Sequence, residues 1–233
     1  MNNSFHTTSR QNTAVDAGLR AFMQRVFGLM GLGLGLTALV AYFVASTPSI
    51  YMPLLTTNLK WVLFFATIGI PLTLGMGINR LSTGTASALF WVYAALMGAS
   101  LSSILLLYTG ESVARVFLIT SCLFGGMSLY GYTTQKDLTS WGSFLFMGLM
   151  GLVLATIVNA FVGSSAFQMA LSVIAVLVFT GLTAYDVQII RRFYHTGMGA
   201  DAASRASILG ALRLYLDFIN IFVALMRLMG DRR

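Results

Sequence analysis

The sequence predicts an all-α membrane protein, a bundle of seven transmembrane helices, from three observations: its apolar excess, the length of its apolar runs and the shortness of what separates them. Of its 233 residues 57% are hydrophobic and 9% charged, with a mean hydropathy of +0.82. A soluble domain carries roughly a quarter charged residues. Fourteen Lys/Arg and seven Asp/Glu cannot cover the surface of such a chain, so most of it faces lipid.

A crossing helix needs about 20 predominantly apolar residues, and seven runs qualify: 22–44, 61–79, 86–108, 114–134, 141–162, 167–190 and 208–229. Residues 1–20 precede them as a polar tail without apolar periodicity, mobile or interfacial, and 21–233 form one transmembrane domain. The first run outlasts the ~7–15-residue core of a secretory signal and lacks a cleavage site, so it stays as an anchor. Its Gly28, Gly31, Gly33 and Gly35 follow no strand and precede no suitably spaced acid, so they serve helix packing rather than a dinucleotide. The second run lies between Thr47-Pro48-Ser49 and Asn79-Arg80, both turn-prone. In the third, Ala94, Gly98 and Ser102 repeat the small-residue spacing. The fourth follows Thr109-Gly110-Glu111 and holds Cys122, the one cysteine, which excludes an intrachain disulfide and a multi-cysteine metal site. Thr134-Gln135-Lys136-Asp137 and Gly163-Ser164-Ser165 bracket the fifth, and the polar stretch Arg191 to Ser207 separates the sixth from the seventh. His6 and His195 fall in the polar tail and loop, as surface residues.

The net charge of +7 does not imply nucleic acid, because the basic residues are scattered singly between apolar runs instead of forming a patch. They set orientation. One side holds Arg10, Arg20, Arg25, Arg80, Lys136, Arg191, Arg192 and Arg205; the other holds Lys60, Arg115, Arg232 and Arg233. The bias places the N-terminus in the cytoplasm and, with an odd number of spans, the C-terminus outside. No cofactor is implied, and nothing in the chain points to an enzyme.

Two acidic residues lie inside apolar runs, where an ionisable group is costly and rarely without function: Asp186 in the sixth and Asp217 in the seventh. With the sixth helix ending near Tyr194, Asp186 is ~12 Å inside, and Asp217 is ~14 Å beyond Ile208, at 1.5 Å per residue. The pair thus falls in one layer of an antiparallel helix pair. Two carboxylates in a poorly hydrated site cannot both ionise cheaply and share a proton, which gives a physical basis for pH gating. Deprotonated, their oxygens suit a hard cation such as calcium, held transiently. A structural reading stands beside this one: Arg213 can pair with Asp217 within its own helix, and Tyr185, Tyr215 and Asn220 can satisfy the carboxyls by hydrogen bonds.

The segments Gly181-Leu-Thr-Ala-Tyr-Asp-Val-Gln188 and Ser207-Ile-Leu-Gly-Ala-Leu-Arg-Leu-Tyr-Leu-Asp-Phe-Ile-Asn220 resemble the paired motifs of the transmembrane Bax inhibitor motif family. Phe124-Gly-Gly-Met-Ser-Leu-Tyr-Gly-Tyr-Thr-Thr134 with Lys136-Asp-Leu138 is similar to its bacterial inner-membrane branch. The resemblance implies a seven-helix fold in a bacterial inner membrane and a pH-sensitive calcium leak, with Asp186 and Asp217 as the pH-sensing pair. It implies a latch on that pair at Arg80, in Gly77-Ile-Asn-Arg80. The acidic residue that some relatives carry in the second helix has no counterpart in 61–79, so cation passage rests on Asp186, Asp217 and neutral oxygens. The alternative function is an interaction protein that modulates another membrane complex, such as a quality-control protease. An intramembrane aspartyl protease is disfavoured, because no glycine-rich turn surrounds Asp217.

Overall fold

The computed structural model describes the backbone of residues 3–194 and 198–233, with side chains from Ala17 onward except Leu55 and residues 195–197. His6 and His195 lie outside the residues whose side chains are described. Among the described residues there are eight helices and no strand: α1 Asn3–Ser46, α2 Pro48–Thr56, α3 Leu59–Gly77, α4 Thr83–Leu107, α5 Gly110–Thr133, α6 Thr139–Val162, α7 Ser165–Phe193 and α8 Ala200–Met229. All but α2 are long and apolar enough to span a membrane, α1 over Ala17–Ser46.

The boundaries follow local chemistry. Ser82, Thr109 and Ser164 are N-caps whose hydroxyls accept from the amides of Thr85, Ser112 and Phe167, satisfying donors that a helix start leaves open. Gly163 closes α6 at φ +69°, a left-handed conformation that favours glycine. Helix α2 lies where a turn is expected: Pro48 occupies its first turn, which lacks an amide partner anyway.

Helix extends into both polar segments. The tail does not stop the helix, since α1 runs unbroken from Asn3. In the polar stretch from Arg191, α7 continues to Phe193, and α8 begins at Ala200 after an extended Gly199 and carries Asp201 in its first turn, where the helix dipole favours an acid.

Helix α8 is the axis of the bundle: 72% of its apolar stretch is buried, against 28% or less for the other spans. It packs on α7, α1, α5 and α4, whereas α6 packs on α7. Lipid tails are as apolar as leucine, so close approach and polar contacts, not water exclusion, must hold such helices together. Gly98 provides one approach, since a Cβ there would lie 2.6 Å from the Thr37 carbonyl oxygen. Gly131 provides another, with its α-carbon against the Ala184 backbone. Within α1, Gly33 meets Phe90 and Tyr215 and Gly18 meets the Tyr194 side chain, whereas Gly28, Gly31 and Gly35 face open space and do not pack.

Candidate functional site

Helices α7 and α8 bring the two intramembrane acids together. A Cβ at Gly210 would lie 3.2 Å from Ile190, which fixes the antiparallel register: four residues further in on each helix, Asp186 is level with Leu214. Asp217 therefore lies nearly one turn deeper than Asp186, ~5 Å along the axis. The two carboxyls lie within about one turn of each other on facing helices, close enough to act on one another. Asp217 is buried at 4% exposure, and its Oδ2 has no hydrogen-bond partner. Asp186 and Arg213 are the charges that act on it.

Arg213 does not close on Asp217 within its own helix. Its Nη1 lies 3.6 Å from Asp186 Oδ1 across the helix pair, beyond ordinary hydrogen-bond length. The Asp186 side chain is 14% exposed and that of Arg213 41%, so the contact sits where a buried acid meets a wetter cation. Around Arg213 a cavity of about 330 Å³ extends toward the helix ends past Arg205, Asn79 and Gly75.

The other expected supports are engaged elsewhere. The Tyr215 hydroxyl bonds to Thr37 Oγ1 at 2.7 Å, and Thr37 donates to the carbonyls of Gly33 and Ala94 at 2.9 Å. Its ring packs edge-on against Phe90 and Tyr93, which makes Tyr215 a joint between α8, α1 and α4 and not a carboxyl partner. Asn220 donates to the Leu216 carbonyl in its own helix. The Tyr185 ring fills the space above Gly142 of α6 and lines a groove with Trp141. Arg80 is exposed in the turn after α3, where its amide bonds to the Gly77 carbonyl at 2.8 Å. Among the described residues no ion pair involves it, and the cation that faces Asp186 is Arg213.

A clasp that the sequence reading overlooked braces this end of α7. Gln188, two residues past Asp186 and 4% exposed, donates from Nε2 to the Lys136 carbonyl and accepts from the Leu138 amide at Oε1, at 2.8 and 2.9 Å. Arg191 donates to the Tyr132 carbonyl and stacks over the Tyr132 ring. Arg192 pairs with Asp137 at 2.9 Å. Asp137 also accepts from the Thr139 hydroxyl and amide, and these bonds, with Arg192, lower its pKa to about 2. A glutamine amid apolar residues near a helix end was the available signal, since a buried amide needs partners on both atoms.

Comparison with known proteins agrees with this architecture. Residues 19–233 match the family described as inhibitor of apoptosis-promoting Bax1. The chain is 47% identical over 227 residues to the protein RP147 of Rickettsia prowazekii, covering 97% of this chain and 96% of that one. It is 45% identical over 221 residues to the inner membrane protein YbhL of Escherichia coli K12, 93% and 94% covered, and 44% identical over 235 residues to a Caulobacter vibrioides protein, 96% and 94% covered. These relatives and the apolar helices describe a multi-pass inner-membrane protein, and the chain belongs to the Bax inhibitor family.

Proposed function

We propose that the protein is a proton-regulated, calcium-permeable leak of the inner membrane, with its N-terminus cytoplasmic and its C-terminus periplasmic, in which Asp186 and Asp217 carry the controlling proton. The observation that supports this most is the Asp217 oxygen buried without a partner, one turn from a second carboxyl. An unpaired buried polar atom costs free energy comparable to a lost hydrogen bond, and a proton shared with Asp186 or a passing cation would supply what is missing. Calcium takes six to eight oxygens, and two carboxylates offer at most four. Water must provide the rest, which suits passage better than storage.

In this reading Arg213 takes the latch role that the family resemblance assigns to Arg80. Its guanidinium, 3.6 Å from Asp186, would compete with a cation for that carboxyl, as a closed state requires. Reconstitution in liposomes with an entrapped calcium indicator tests the reading: calcium entry should vary across a series from pH 5 to pH 8, and flux absent at every pH would refute it.

A second reading, a bundle that restrains another membrane complex such as a quality-control protease, rests on α6. This helix packs on α7 and turns Phe144, Met147, Leu154 and Phe161 outward. Crosslinking from intact membranes separates the two, because a leak works without a stoichiometric partner.

A further inference from the structure

At the end of the bundle opposite the aspartates, α4, α7 and α8 enclose a cavity of about 610 Å³, within the usual size of ligand pockets. Its rim carries two guanidiniums, Arg227 from the last turn of α8 and Arg232 from the segment beyond it. Among the described residues neither has an acidic partner within ion-pair distance. The nearby acids are engaged or lie outside: Asp231 pairs with Arg115, and Glu111 starts α5 without lining the cavity.

Arg232 is held in place. The chain beyond α8 pairs with the α4–α5 turn through the Thr109 amide to the Asp231 carbonyl and the Arg233 amide to the Leu107 carbonyl, both 3.0 Å. Gly230 permits the path, because a Cβ there would lie 2.6 Å from the Tyr108 ring.

The remaining polar groups add donors. Ser165 opens α7 at the cavity wall; the Ser164 hydroxyl takes the Phe167 amide, and the helix dipole there still favours negative charge. Gln168 accepts from Asn159 at Oε1, which leaves its NH2 group available to the cavity. The hydroxyl hydrogens of Ser103 and Ser172 are spent on backbone carbonyls. Two charged forks, a side-chain amide and a helix start thus converge with no acid among them. Below this rim the wall is apolar, formed by Ile104, Met169 and Val223.

We propose that this cavity binds a phosphate diester, presented by the headgroup of an anionic phospholipid whose acyl chains continue along the apolar wall. Guanidinium forks match phosphate oxygens two at a time, and a partly desolvated basic pocket between helices strengthens that pairing over one made in water. A free phosphate ion would use the donors but not the apolar wall.

The test is thermal unfolding of the full chain in detergent, with phosphatidylglycerol, phosphatidylcholine or inorganic phosphate added. Phosphatidylglycerol should raise the midpoint by several degrees over phosphatidylcholine, since a ligand that binds only the folded state stabilises it. The Arg227→Gln, Arg232→Gln double variant should lose most of that difference, the double lysine variant should keep part of it, and Arg115→Gln should keep it. An equal increment in wild type and double glutamine variant would overturn the site. An increment reproduced by inorganic phosphate alone would overturn its assignment to lipid.

Discussion

Arg213 of α8 and Asp186 of α7 face each other across the helix pair at 3.6 Å, with Asp217 nearly one turn further in. Among the described residues Arg213 is the cation that acts on both acids, and it stands on the same helix as Asp217, so sliding of α7 against α8 would change its distance to Asp186. On the proposed function, Arg213→Gln would free Asp186 for a passing cation. Calcium flux at pH 7 should rise severalfold in liposomes, and unchanged flux would separate Arg213 from gating.

The Thr37–Tyr215 bond carries a packing prediction. Both hydroxyls are buried, so Thr37→Val should cost ~1–3 kcal/mol by leaving the Tyr215 hydroxyl unpaired. Tyr215→Phe in that background should recover part of the loss, because removing both partners is cheaper than removing one. Thermal unfolding of the two single variants and the double in detergent reads the coupling.

Gly131 tests the close approach of α5 to α7 beside the acid pair. Its added Cβ would overlap the Ala184 backbone, and overpacking costs typically ~1–3 kcal/mol. Gly131→Ala should lower the unfolding midpoint by several degrees, whereas Gly28→Ala, which meets nothing within 4 Å, should not.

Asp137 anchors the clasp at the base of α7, and its pKa of about 2 lies below its ordinary 3.8. A depressed acid contributes stability that is present above its unfolded value and lost as pH falls through the folded one, here between 3.8 and about 2. Asp137 therefore stays charged from pH 5 to pH 8. Asp137→Asn should speed hydrogen exchange in the α5–α6 turn while leaving the pH midpoint of calcium flux in place; a displaced midpoint would make Asp137 part of the sensor.

The seven spans were legible because length and hydropathy alone define them, and the acid pair because charge inside an apolar run is conspicuous. Caps at Ser82, Thr109 and Ser164 could be read from residue type. Helix α2 could not, since nine residues starting with proline resemble a turn. The partners of Tyr215 and Arg213 were equally hidden. Each hydroxyl or guanidinium has neighbours within reach on its own helix, and only the register of α8 against α1, α4 and α7 decides that Tyr215 turns to Thr37 and Arg213 to Asp186. The glycines of α1 show the same limit: spacing marks small residues, and only the neighbouring helix selects Gly33 over Gly28, Gly31 and Gly35.

Calcium flux against pH for the wild type, Asp186→Asn and Asp217→Asn, in matched liposomes, tests the acid pair most directly. A pH-dependent curve is expected for the wild type and a flattened response for each variant, because an amide cannot exchange the shared proton. Three superimposable curves would contradict it.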